Sequence, residues 1–363
     1  MRVRSTTSYY QNKLSYLGYF HLAPMVRKMT VRRLRQVFRA IADWRCHVVR
    51  PSSRPFAFRL EPCATCNLQC PLCATTYRKF TARETKVMTI ATFQAIHEQI
   101  QAYAVKVTFY LEGEPMLNPH LFEMIELTTR SNDVFTSFST NFTQMKQRLL
   151  GPMFASRLGW ISVSIDGFHQ TTYEKYRVGG DVKNVLNGIA MTMQHKRRYG
   201  FRYPYMIVNM ITFSHVSLDE QELLREFCNE QGVDEFHLRP DQYGIMGPYD
   251  STIVRRPASR CHWPWLSMSI EPDGTVYPCP IAFEQRLSYG NLLRESLQEI
   301  WNNDLYVATR RYLSRTGDDR SDMPHLPCFD CRWFGKCAPV SNLVQIRKDW
   351  LRESHERAES RKL

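Results

Sequence analysis

The spacing of apolar positions changes along the chain, and the changes divide it. Between Met25 and Val49, Leu34, Val37, Phe38, Ile41 and Trp44 recur at helical spacing and predict an amphipathic helix. Pro51 to Pro55 reads as a linker, since proline fixes φ and removes a backbone donor. Short apolar runs then alternate with helical patterns. Strands are predicted at Phe56–Leu60, Val105–Leu111, Val134–Ser139, Trp160–Ile165, Met206–Thr212 and Glu235–Leu238. Helices are predicted between them, clearest at Ile90–Tyr103, Leu121–Thr129, Val182–Lys196 and Leu218–Glu230. Six strand–helix units make an α/β fold, a curved parallel sheet with helices outside. Beyond Ser259 the composition shifts toward Trp, Pro and Cys. An alternating strand, an Asp273-Gly274 hairpin turn, a return strand ending at Cys279 and an amphipathic helix follow. The last residues, from Arg347 to Leu363, are charged throughout.

Charge is concentrated at one end. Residues 1–60 hold thirteen Lys and Arg against the single acid Asp43, so +12 of the net +13 lies there and the rest is nearly neutral. A general nucleic-acid-binding function is therefore not expected. The basic stretch over residues 25–50 either lies on an anionic membrane surface, packs its apolar stripe on the rest of the chain, or meets an acidic partner. No apolar run is long enough to cross a bilayer. Eleven cysteines without a signal peptide suggest a reducing compartment, hence a cytoplasmic protein, peripheral on the membrane if the basic stretch docks there. The expected division is a basic helical extension and linker (1–55), a barrel (56–245), a small cysteine-rich unit (246–345) and a charged tail (346–363).

Candidate chemistry begins in the loop after the first strand, EPCATCNLQCPLC. Cys66, Cys70 and Cys73, spaced C-x3-C-x2-C, can hold three irons of a four-iron cube and leave the fourth without a protein ligand. A zinc site would need a fourth ligand, which Cys63 could supply. Farther on, Cys261, Cys279, Cys328 and Cys331 provide four thiolates, a complete shell for a second cluster or for zinc.

The first loop resembles the signature of the radical SAM superfamily, matching CNLQC-PLC from Cys66 through Cys73, with Leu72 where many members carry an aromatic residue. The resemblance implies a partial (βα)6 TIM-like barrel. It also implies that S-adenosylmethionine (SAM) binds the open iron through its amino and carboxylate groups. One electron then splits the sulfonium into methionine and a 5'-deoxyadenosyl radical. Glu112-Gly113-Glu114-Pro115 is similar to the family's GGEP segment, which implies contact with the SAM amino group. Ser139-Thr140-Asn141 is similar to the STN segment that borders the cofactor. Ser164-Ile165-Asp166-Gly167, with Arg177, is similar to the pairing near the methionine carboxylate and ribose. Each segment follows a predicted strand, where barrel enzymes keep their sites, although each alone also suits an ordinary turn.

The last third resembles the SPASM/twitch extension of some radical SAM enzymes, through Gly274 to Cys279 (G-x4-C) and Cys328, Cys331 and Cys337 (C-x2-C-x5-C). A full SPASM motif continues with another Cys where this chain has Ser341, so one auxiliary [4Fe-4S] cluster is expected, held by Cys261, Cys279, Cys328 and Cys331. Cys63 and Cys337 are candidate hydrogen-atom donors; Cys46 and Cys228 read as packing residues, and His237 and His262 as structural. The expected function is oxidation or epimerisation of a small polar, sugar-like or lipid-linked substrate, with flavodoxin or ferredoxin as electron donor. The alternative is a maturase that crosslinks or oxidises a peptide. Outside the enzyme class stand a noncatalytic iron–sulfur protein and a zinc-binding module.

Overall fold

The structure is a computed structural model that describes residues 4–5, 29–71, 73–77, 85–130, 134–241, 261–280, 287–314 and 324–329. All six strands expected for the barrel are present: β2 (Ala57–Leu60), β3 (Lys106–Thr108), β4 (Phe135–Thr140), β5 (Trp160–Ser164), β6 (Tyr205–Thr212) and β7 (Glu235–Pro240). They lie side by side in chain order and all pair in parallel. A two-residue strand, β1 (Arg4–Ser5), extends the β7 edge. At the other edge β8 (Ser267–Ile270) runs parallel to β2 and antiparallel to β9 (Val276–Tyr277). The hairpin foreseen in the cysteine-rich unit is thus built onto the barrel sheet. Its turn needs glycine, because Gly274 has φ +85°.

The helices are α1 (Val31–Arg45), α2 (Ala74–Tyr77), α3 (Ile90–Ile100), α4 (Leu121–Thr129), α5 (Gln147–Ala155), α6 (Gln170–Tyr173), α7 (Val182–Arg198), α8 (Leu218–Gln231), α9 (Trp263–Leu266), α10 (Leu297–Trp301) and α11 (Asp304–Ser314). Strand alternation sorts side chains between two faces. Phe138, Ile161, Val163, Val208 and Phe236 are buried in one core with helix residues such as Phe93, Ile125, Met153, Ile189 and Leu224. The positions between them carry Ser137, Ser139, Ser162, Asn209, His237 and Arg239, so the inner face is polar. There Arg239 Nε donates to Asn209 Oδ1 at 2.8 Å, and Asn209 Nδ2 donates to Ser162 Oγ at 2.8 Å.

The basic helix α1 is capped by Thr30, whose hydroxyl accepts from the Arg33 N–H. Val37 and Ala40 are buried against Trp265, Leu266 and Tyr312, while Arg32, Arg35, Arg39 and Arg45 face solvent. Phe38 departs from the expected stripe and is 64% exposed. Five apolar positions span a wider arc than one contact line covers, and Phe38 falls at its edge. Among the described residues no helix is long and apolar enough to cross a membrane.

Arg310 ties the last helix to the rest. Fully buried, its guanidinium stacks 4.3 Å from the Trp301 ring centroid and donates to Pro264 O at 2.8 Å and Asn302 Oδ1 at 3.1 Å.

Lys106, at the start of β3, is buried with its ammonium 5.3 Å from the Trp160 centroid. Burial, with Arg59 adding repulsion, pulls its pKa from 10.5 down to about 7. A lysine with a depressed folded pKa loses stability as pH falls from its unfolded value to its folded one. Stability should therefore rise by roughly 2–3 kcal/mol between pH 7 and pH 9 from this group. Lys106→Met should remove that rise; urea denaturation of both proteins at the two pH values measures the difference.

Candidate active site

The cysteine loop leaves β2 at Glu61, a fully buried carboxylate. Its two oxygens accept the N–H groups of Glu112 and Gly113 at 3.0 and 3.1 Å. The Glu114 N–H reaches Thr65 O at 2.8 Å, and the Gln69 N–H reaches Val178 O at 2.9 Å. Asn118 Nδ2 bridges Pro62 O and Met88 O at 2.8 and 2.9 Å. The loop is therefore fixed from the ends of several strands. Glycine at 113 is required by contact, because a Cβ there would lie 2.0 Å from Cys63 O and 2.8 Å from Thr65 O.

Cys66, Cys70 and Cys73 all lie on this loop, where burial raises the Cys70 pKa and Cys73 and Cys66 raise it further. Cys66 Sγ accepts from the Leu68 N–H at 3.4 Å and Asn141 Nδ2 at 3.6 Å, and Cys73 Sγ lies 3.1 Å from Thr75 Oγ1. Burial pushes the Cys66 thiol to about 11 and the Cys70 thiol to about 12, although Arg177 pulls the latter down. Thiols this basic stay protonated near neutral pH unless a cationic partner takes the place of the protons. Soft sulfur donors in one loop, with Cys66 already supplied with N–H donors that favour thiolate, fit an iron–sulfur group in that role. Among the described residues no three His, Cys, Asp or Glu side chains converge on a single ion.

Beside the thiols runs a shelf of polar groups. Glu114, 2% exposed, accepts from the Met116 N–H (3.0 Å) and Thr140 Oγ1 (2.6 Å) on one oxygen and from the Asn141 N–H (2.8 Å) on the other. Burial raises its pKa against the pull of those donors. Glu114 also caps the 3₁₀ turn that starts at Pro115. Asn141 is oriented by Thr143, whose N–H and hydroxyl donate to Oδ1 at 3.0 and 2.7 Å, and its Nδ2 donates to Asn67 Oδ1 at 3.0 Å. Farther along, Asp166 Oδ2 accepts from Arg177 Nε at 2.6 Å while Oδ1 accepts the Ile211 N–H at 2.7 Å. Burial works against the Arg177 charge, but the Asp166 carboxylate and the Cys70 sulfur raise its pKa well above normal.

Most of the expected positions share this region. Ser139 is half-buried and donates to Ser162 O at 3.4 Å, and Ser164 ends β5 opposite Asn209. Cys63 is buried with its sulfur 3.2 Å from Thr65 Oγ1, and burial raises its pKa. Leu72, Cys331 and Cys337 lie outside the described residues. Glu61, Asn67, Asn118 and Thr143 were not singled out in the sequence, although the first two fall in or beside the cysteine loop.

In the C-terminal unit Cys261, Cys279 and Cys328 are all half-buried. Cys261 and Cys328 pack on one hydrophobic cluster with Tyr312 and Phe329. Tyr289, hydrogen-bonded to Thr309 Oγ1 at 2.7 Å, has its pKa raised by burial and by the charges of both Cys328 and Cys279. The fold therefore brings two of the four expected thiols, Cys279 and Cys328, near Tyr289, and packs Cys261 on the same cluster as Cys328.

Three cysteines in the loop after β2, beside a buried carboxylate and followed by a second set of cysteines, are the residues of an iron–sulfur protein. The chain carries a radical SAM domain and a SPASM domain: the radical SAM superfamily profile matches residues 60–227, and the profile of the SPASM iron–sulfur cluster-binding domain matches residues 261–332. Its cofactors are SAM, a [4Fe-4S] cluster and an auxiliary iron–sulfur cluster. The chain is 21% identical over 285 residues to the mycofactocin maturase MftC of Mycobacterium ulcerans (strain Agy99), covering 69% of this chain and 75% of that protein. It is 23% identical over 194 residues to the AdoMet-dependent heme synthase of Methanosarcina barkeri (strain Fusaro / DSM 804), covering 53% of this chain and 52% of the relative. The crystal structure of Streptococcus suis SuiB bound to S-adenosylmethionine shares the fold, with a TM-score of 0.60 at 16% identity over 92% of this chain and 85% of that one.

Proposed function

We propose that this radical SAM enzyme is a peptide maturase, which oxidises or crosslinks a residue of a polypeptide. The observation that carries this reading is the similarity to the maturase MftC over about two-thirds of the chain and three-quarters of the relative. The fold shared with SuiB, which has also been crystallised with its precursor peptide SuiA, agrees with it. The expectation of a sugar-like or lipid-linked small molecule finds no such support, and neither does contact with a membrane surface. Peptide maturation was the alternative in the sequence and becomes the main reading here.

In this proposal Cys66, Cys70 and Cys73 hold the SAM-binding cluster, and Cys261, Cys279, Cys328 and Cys331 hold the auxiliary one. When bound, the cluster and SAM supply homolytic hydrogen abstraction from an unactivated C–H bond. The protein's own residues prepare the site. Glu114 and the backbone at Gly113 offer acceptors to the SAM amino group, and Arg177, held by Asp166, offers a planar donor fork to a carboxylate. Asn141 fixes the orientation of Cys66. Ser139 and Ser164 border the cofactor from the inner face. That face, with Asn209 holding Arg239, provides polar contacts to a peptide backbone.

The test is incubation of anaerobically purified, iron-reconstituted protein with SAM, a strong reductant and candidate peptides deuterated at Cα and Cβ. About eight irons per chain, 5'-deoxyadenosine formation and deuterium transfer from a peptide are expected. Deuterium transfer from a deuterated aminocyclitol, with none from peptides, would replace peptide maturation with the small-molecule reading. Zinc in place of iron and no cleavage would remove the enzyme assignment.

A further inference from the structure

The molecule has a second concave feature at the opposite end of the barrel from the thiols. Helices α5 and α7 both start near the strand ends that carry the cysteine shelf and finish near the starts of β5 and β6. Seventeen residues of α7 place its last turn ~25 Å from its first. Between these last turns lies an open cleft of about 310 Å³ lined by Gly151, Phe154, Ala155, His195, Tyr199 and Phe201. Its aromatic rings brace one another: Phe154 is 4.7 Å from His195 and 4.8 Å from Phe201, and His195 is 4.6 Å from Tyr199. Tyr199 and Phe201 are 57% and 42% exposed. The helical glycine leaves space, since a Cβ at Gly151 would meet nothing within 4 Å.

The rim carries one sign of charge. Residues 146–159 and 194–204 contain seven Lys and Arg and no Asp or Glu. Lys196 is spent on Asp234 at 2.5 Å and Arg197 on the Gln231 carbonyl. Arg148, Arg198 and Arg202, on the segments that line the opening, are exposed. Outside residues 1–60 the chain has a net charge of only +1, so this concentration is local. Braced aromatic rings with arginine around them are the composition of binding hot spots.

We propose that this cleft docks an acidic polypeptide segment, seating one apolar side chain between α5 and α7 while the arginines pair with flanking carboxylates. Charge complementarity selects an acidic partner. The recessed floor selects a side chain over a bilayer, because membrane contact uses protruding apolar groups. The proposal is independent of the reaction carried out at the other end of the barrel.

The probes are two fluorescent pools of short peptides, each bearing one Leu or Phe, flanked by Asp and Glu in one pool and by Lys in the other. Fluorescence anisotropy with the reconstituted full-length enzyme should show the acidic pool binding at least about tenfold tighter, with affinity falling as salt rises. Gly151→Leu fills the cleft from a position with room for it. It should weaken binding about tenfold or more and leave 5'-deoxyadenosine formation unchanged. The double substitution Arg198→Glu with Arg202→Glu should do the same by charge alone. Equal binding of the two pools overturns the proposal, as does acidic-pool binding that neither variant weakens. So does Gly151-dependent binding of phosphatidylglycerol vesicles without peptide binding, which would make the surface a lipid contact.

Discussion

Gly113→Ala is expected to reduce SAM cleavage about 100-fold in a protein that still folds around its helices. The added methyl group would fall 2.0 Å from Cys63 O, and Thr65 O and Ala64 C stand within 3 Å. All three are backbone atoms, so no side chain can rotate away. Relief must come from parting the segment after β3 from the cysteine loop, which breaks the paired N–H bonds to Glu61 and the Glu114 contact with Thr65. Overpacking of this kind costs about 1–3 kcal/mol of stability. The functional loss should be larger, because misplacing reacting groups by ~1 Å costs about 100-fold in rate. Rates of 5'-deoxyadenosine formation and iron content on the same sample check this. Full iron with cleavage reduced about 100-fold matches the expectation, and wild-type cleavage would show that the loop and the segment are not mechanically joined.

Asp166→Ala should be the most destabilising single change at the site, by about 3–5 kcal/mol, because it leaves the Arg177 guanidinium buried without its carboxylate. The pair is tight, 2.6 Å with the Asp166 side chain fully inaccessible, and the other carboxylate oxygen holds the Ile211 N–H between β5 and β6. Asp166→Asn keeps an acceptor for one of the two donors and should recover part of the loss. Cys70 should respond as well, since its thiol is pulled down by Arg177. Urea denaturation of the three proteins at one pH gives the order wild type, Asn, Ala. Equal stability of Ala and wild type would mean that the guanidinium finds solvent.

The strands, the cysteine loop and the punctuation after each strand were legible because they are local. An apolar run, a turn dipeptide and a C-x3-C-x2-C spacing are each written in consecutive residues. Glu61 and Asn67 were not legible as site residues, since their roles are hydrogen bonds to partners 51 or more positions away. Helix α5 was passed over because Gly151 and Pro152 interrupt its pattern, and the core contacts of Leu150, Met153 and Phe154 override that weakness. Phe38 shows the reverse error, an apolar residue on a helical pattern that the fold leaves outside. The pairing of β8 with β2 could not be read at all, since the partners are 210 positions apart along the chain.

That pairing joins what the two family matches divide. The two family matches end and begin at residues 227 and 261, yet Ala57 to Leu60 and Ser267 to Ile270 share one ladder from end to end. A gene cut between the two matches would leave β2 with an open row of backbone donors and acceptors, a template for aggregation. The unit matched by the second profile therefore forms the wall of the barrel beside its first strand.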